Sequence, residues 1–68
     1  MTYVLKVSYY DQESDYEEYG ELDELIESYQ GCIEQIADLG QAFGDVCRIV
    51  AMRRTANKTT VLQSRDYA

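Results

Sequence analysis

The chain of 68 residues has no proline, no histidine and no tryptophan, only four glycines and two cysteines, and no lysine or arginine between Lys6 and Arg48. Each shortage removes a class of function. Without histidine there is no Ser/His/Asp or Cys/His arrangement for nucleophilic catalysis, and no imidazole for a zinc site. Cys32 and Cys47 stand in neither a metal nor a redox spacing, and two thiols form at most one internal bridge. No glycine-rich run is available to cradle a phosphate. The stretch "MTYVLKVSYY" holds one lysine and lacks the apolar core of a leader or a membrane span. The expectation is a non-enzymatic protein of the reducing cytoplasm, with no cofactor, no metal and no membrane.

What the chain does have is charge of one sign. Thirteen acids against six bases give a net charge of −7. Residues 7–47 contain twelve acids and no base, whereas residues 48–68 hold Arg48, Arg53, Arg54, Lys58 and Arg65 against Asp66 alone. A hydrophobic content of 46% is enough for folding. A domain of this size hides only about 60% of its unfolded surface, so self-association, as a homodimer, is the expected source of extra stability. A lopsided charge distribution speaks of partners rather than of fold.

Periodicity supplies the elements. In "YVLKVSY", Tyr3, Leu5, Val7 and Tyr9 alternate with Val4, Lys6 and Ser8, which predicts a half-buried strand over residues 2–10. Leu22, Leu25, Ile26, Tyr29, Ile33 and Ile36 then recur at helical spacing. They predict a helix over 21–39, with Gly40 suited to cap it and the apolar stripe reaching towards Phe43. "DVCRIVAMRRT" and "TTVLQSRDY" predict strands at 46–55 and 59–67 around a turn near Asn57. Pairing Thr55 with Thr60 puts Cys47, Ile49, Ala51, Leu62 and Ser64 on the core face. It sends Arg48, Val50, Met52, Arg54, Val61, Gln63, Arg65 and Tyr67 to the other.

The predicted fold is therefore a single α+β domain in β-α-β-β order: a three-stranded antiparallel sheet with one helix on one face and an acidic loop at 11–20. A lone helix covers one side only. The other side would show Val4 and Tyr10 with Val50, Met52, Val61 and Tyr67, and the last four form a candidate dimer face.

The acidic stretch "YYDQESDYEEYGELDE" packs eight carboxylates and four tyrosines into sixteen positions. Helix-dipole stabilisation explains Glu21, Asp23 and Glu24, and Ser14–Glu17 has capping-box spacing. An EF-hand reading fails at its two diagnostic places, with Tyr16 where glycine must turn and Leu22 where a glutamate must close the shell. The remaining acids need another reason. At about 100° per residue, Glu24, Glu27, Glu34 and Asp38 share one wedge of the helix over about 21 Å, with Gly31 in its middle. Like charges so placed repel. A partner carrying a basic groove would repay that cost, and Asp15, Tyr16, Glu17, Glu18 and Tyr19 would extend the contact with carboxylates and flat rings. The net charge argues against direct binding of nucleic acid.

A short, proline-free, acidic chain containing "DYEEYGELDELIE" resembles the small inhibitors that bacteriophages direct at host nucleases, the anti-CRISPR and DNA-mimicking anti-restriction proteins. The likeness lies in size, charge and layout over the whole chain. It implies an inhibitor in the host-cell cytoplasm whose acidic helix and loop occupy a basic, nucleic-acid-binding site on a CRISPR effector or other nuclease. A different class fits the same chain, namely a small assembly protein that oligomerises through its exposed sheet face.

Overall fold

The computed structural model describes residues 1–39 and 46–67. Its elements are β1 (Thr2–Tyr9), β2 (Asp15–Tyr19), α1 (Leu22–Leu39), β3 (Val46–Arg54) and β4 (Thr59–Asp66). The strands form one antiparallel sheet in the order β2-β1-β3-β4, and α1 packs over it, chiefly against β1, β3 and β2. The α+β class holds, but the sheet has four strands and the order is β-β-α-β-β. The segment expected to be an acidic loop contains β2, which turns back after a bend at residues 10–14 and pairs with the outer edge of β1. An expected cap at Gly40 and a stripe running to Phe43 lie outside the described residues. No described helix is long and apolar enough to cross a membrane.

The alternation of β1 decides where the core sits. Leu5 and Val7 point towards the helix and join Leu25, Tyr29, Val46, Ile49 and Ala51 in one buried cluster. Leu25, Ile49 and Ala51 are fully buried, and each large aliphatic side chain so placed contributes about 1.5–3 kcal/mol. Tyr29, Cys32, Ile33 and Ile36 continue the helix stripe at i, i+3, i+4 spacing. Leu22 is exposed, so the packed stripe starts one turn later than the sequence suggests.

Two bulges change the register expected for the C-terminal hairpin. Ser8 faces Arg48 while Tyr9 faces Val46, so Cys47 is the extra residue and Val46 takes the core place expected for it. The second bulge falls in β4. Near the turn, Arg54 faces Thr59 and Met52 faces Val61, and a backbone hydrogen bond from Thr55 to Lys58 leaves a two-residue loop of Ala56 and Asn57. Beyond Met52 the pairing shifts by one, with Ala51 opposite Gln63 and Ile49 opposite Arg65. An added residue reverses the faces of everything after it. Ser64 therefore lies away from the helix beside Val50, and Gln63, Arg65 and Tyr67 lie on the helix side. Tyr67 packs against the core cluster, so it leaves the candidate dimer face.

The face away from the helix is also less open than expected. Val4 and Val50 are buried at 1% and 8% exposure although neither belongs to the helix-side cluster. Cross-strand neighbours shield them: Glu18 and Met52 flank Val4, and Lys6 and Ser64 flank Val50. Lys6 reaches outward to place its ammonium 5.7 Å from the centre of the Tyr16 ring, laying its stem along the face. Of the four residues expected to form the dimer face, only Val61 is an exposed apolar side chain; Met52 is half-buried.

Candidate functional site

Strand β2 turns Asp15–Tyr19 of the acidic stretch into fixed geometry. Its pairing sets Asp15 opposite Val7, Glu17 opposite Leu5 and Tyr19 opposite Tyr3, all on the helix side. Tyr16 and Glu18 fall on the other side, opposite Lys6 and Val4. Tyr19 packs at the margin of the core, which anchors one end of the strand. At the other end the Tyr9 hydroxyl donates to Asp15 Oδ2 at 2.8 Å, and the Ser14 hydroxyl donates to Ser8 Oγ at 3.2 Å. Burial, and then the bond to the Asp15 carboxylate, hold the Tyr9 phenol above its ordinary value.

The helix carries the remaining acids. Asp23 and Glu24 lie in its first turn, where they favour the dipole, and no base occupies its last turn. Glu24, Glu27, Glu34 and Asp38 are all exposed, on the side turned away from the sheet. Among the described residues two ion pairs are present, Arg48 with Asp66 and Arg54 with Glu18, the latter at 4.0 Å and half exposed. Neither touches the helix. Of the two bases near β2, Arg54 reaches Glu18 and Lys6 lies over the Tyr16 ring rather than on a carboxylate.

Between β2 and α1 lies an open groove of about 640 Å³. Leu5 and Val7 form its floor; Asp15, Glu17 and Tyr19 line the strand side, with Tyr9 at one end and Tyr16 touching it although its ring lies over Lys6 on the far face; Ser28, Gly31, Cys32 and Gln35 line the helix side. Among the described residues no cationic side chain contributes to it. A Cβ built on Gly31 meets nothing within 4 Å, so packing within the fold does not require a glycine there.

The ten residues expected to bind a partner thus divide. Asp15, Glu17, Tyr19 and Gly31 converge on the groove, and Tyr16 touches it while its ring lies over Lys6 on the far face. Glu24, Glu27, Glu34 and Asp38 form the exposed stripe next to it, and Glu18 is turned to the far face towards Arg54. Ser28, Gln35, Cys32 and Tyr9 complete the groove without having been singled out in the sequence. Their signal was present on the helix: Ser28, Gly31, Cys32 and Gln35 repeat at i, i+3, i+4, i+7, a second stripe beside the apolar one.

Chemically, the arrangement favours a cation. Carboxylates stand over an apolar floor between tyrosine rings, which suits the charged head and apolar stem of lysine or arginine. Cys32 and Cys47 are free and half-buried, and burial raises the Cys32 thiol, which keeps it protonated and weakly nucleophilic at neutral pH. Among the described residues no group of three metal-ligating side chains converges on a point. Comparison of the chain with protein-family models, with curated proteins and with solved structures found no match.

Proposed function

We propose that this protein is a non-enzymatic binding module, an inhibitor of the anti-CRISPR or DNA-mimic kind, whose acidic surface occupies a basic, nucleic-acid-binding site on a partner protein. One observation carries the reading: the β2 and α1 carboxylates form an adjoining field, and the ion pairs of the described residues leave the helix stripe and the groove unneutralised. A field of like charges lowers the stability of the free protein. The same field speeds encounter with a basic groove and supplies charge-assisted bonds once docked. The stripe from Glu24 to Asp38 extends about 21 Å, the length of about six phosphates along one strand at about 3.4 Å each. Cytoplasmic residence in a host cell follows from such a partner.

The competing reading, assembly through the uncovered sheet face, has less to rest on. Val50 is already buried, and Tyr67 lies on the helix side.

The test is affinity capture of partners by the wild-type protein and by a variant with Glu24, Glu27, Glu34 and Asp38 all changed to Lys. Charge reversal should weaken capture on the order of a hundredfold while the circular dichroism of the fold is retained. Captured wild-type complexes should also dissociate on addition of competing oligonucleotide. Unchanged capture by the reversed variant removes the helix from the site, and indifference to oligonucleotide removes nucleic-acid mimicry.

A further inference from the structure

Strand β2 is an outer strand of the sheet: β1 lies on one side of it and no described strand on the other. Its five residues, Asp15–Tyr19, are exposed except for half-buried Tyr19, and its outer row of backbone N–H and C=O groups has no strand partner. An unpaired edge of this kind is a template for another extended chain. Proteins usually blunt such edges with charge, and here the charge is all negative: Asp15 and Glu17 towards the helix side and Glu18 towards the far side. Two copies pairing β2 to β2 would bring carboxylates against carboxylates, which is unfavourable. A strand bearing arginine or lysine meets no such obstacle.

We infer that the β2 edge and the adjacent groove bind an extended, Arg/Lys-rich segment of a partner protein by strand addition. The segment's backbone pairs with Asp15–Tyr19. Its alternate side chains on the helix side reach the carboxylates of Asp15 and Glu17, over the floor of Leu5 and Val7 and beside Ser28 and Gln35. Neighbouring strands lie about 4.8 Å apart, so the added strand's helix-side residues fall alongside the groove mouth. On the other side its residues meet Glu18 and the exposed ring of Tyr16, a surface for a guanidinium. Gly31 leaves the helix wall low where those side chains enter. The inference rests on the acidic-face reading for the partner's sign of charge, and adds to it a backbone-specific mode of docking.

The test uses the full chain and a short peptide alternating arginine and threonine. Amide hydrogen exchange and backbone chemical shifts of β2 are followed alongside titration. Strand addition predicts saturable binding with slowed exchange at β2 amides. The affinity should fall about fivefold or more in Asp15→Asn/Glu17→Gln, and about as much when alternate peptide nitrogens are methylated. The proposal is overturned if the methylated peptide binds equally well, or if binding leaves β2 exchange unchanged. It is also overturned if β2 becomes protected on raising protein concentration alone, which would make a second copy the occupant. These outcomes concern β2 and leave the helix stripe to be judged separately by the four-residue charge reversal.

Discussion

In the β3–β4 hairpin, Arg48 meets Asp66 across the strands, and the Thr55 amide and hydroxyl both donate to the Lys58 carbonyl to close the turn. In the β1–β2 hairpin, three carboxylates lie on a five-residue outer strand, and one of them, Glu18, finds an arginine at the limit of contact. Both hairpins flank the same helix. One carries five bases against Asp66 alone, pairs Arg48 with that acid, and contributes Val46, Ile49, Val50 and Ala51 to the buried residues. The other contributes Val4, Leu5 and Val7 from β1 alone, while β2 adds only a half-buried tyrosine. The lesson is a division of labour along the sheet: burial concentrates in its two central strands, β1 and β3, while the outer strand β2 adds carboxylates and little burial.

That contrast can be broken by truncating a side chain in each region. Ile49→Ala empties a fully buried position and should cost about 2–5 kcal/mol in denaturant unfolding. Tyr19→Ala, at the core margin, should cost no more than about half of that. Equal losses would mean that β2 belongs to the cooperative core. A Gly31→Ala variant sharpens the comparison in the opposite direction. A Cβ there meets open space, so restoring helix propensity should raise stability by about 0.5–1 kcal/mol. Destabilisation instead would show that the groove wall is under a constraint of its own.

A smaller effect separates the tyrosines. Tyr9 and Tyr29 both hold their protons more tightly in the folded state than their ordinary value of 10.0, chiefly through burial. A group whose folded value is raised adds stability that is complete below the unfolded value and is lost as pH rises through the folded one. Stability should therefore decline above about pH 10 as tyrosinate absorbance rises, and Tyr9→Phe should soften that decline by removing one ionising phenol. An alkaline profile identical in Tyr9→Phe and wild type would detach Tyr9 from it.

The sequence conveyed the parts of the fold that follow from hydrophobic period. The alternation of β1, the stripe of α1 and the β-branched density of β3 and β4 all reappear, because each buries one face against a core. β2 was hidden for a physical reason. "DYEEY" lacks alternation, and glutamate and aspartate disfavour strands, so its conformation comes from the free edge of β1 and from the seating of Tyr19. The bulges were equally silent, since one extra residue leaves no mark on composition while reversing Arg65 and Tyr67 from one face to the other. The acidic helix stripe was fully legible on the wheel. The groove beside it was not, because Asp15, Tyr16, Glu17 and Tyr19 of its lining come from a strand that the sequence presents as a loop.

The most direct measurement is the unfolding free energy of Glu34→Gln/Asp38→Asn against wild type at low ionic strength. These two acids repel at i, i+4 spacing, lie in the half of α1 where its dipole opposes them, and have no cation in a last turn that contains none. If the carboxylates are held at the expense of the free fold, the variant is more stable by about 0.5–1 kcal/mol, and salt narrows the gap. A variant as stable as wild type or less so would show that the fold itself benefits from its acids, and the need for a basic partner would vanish.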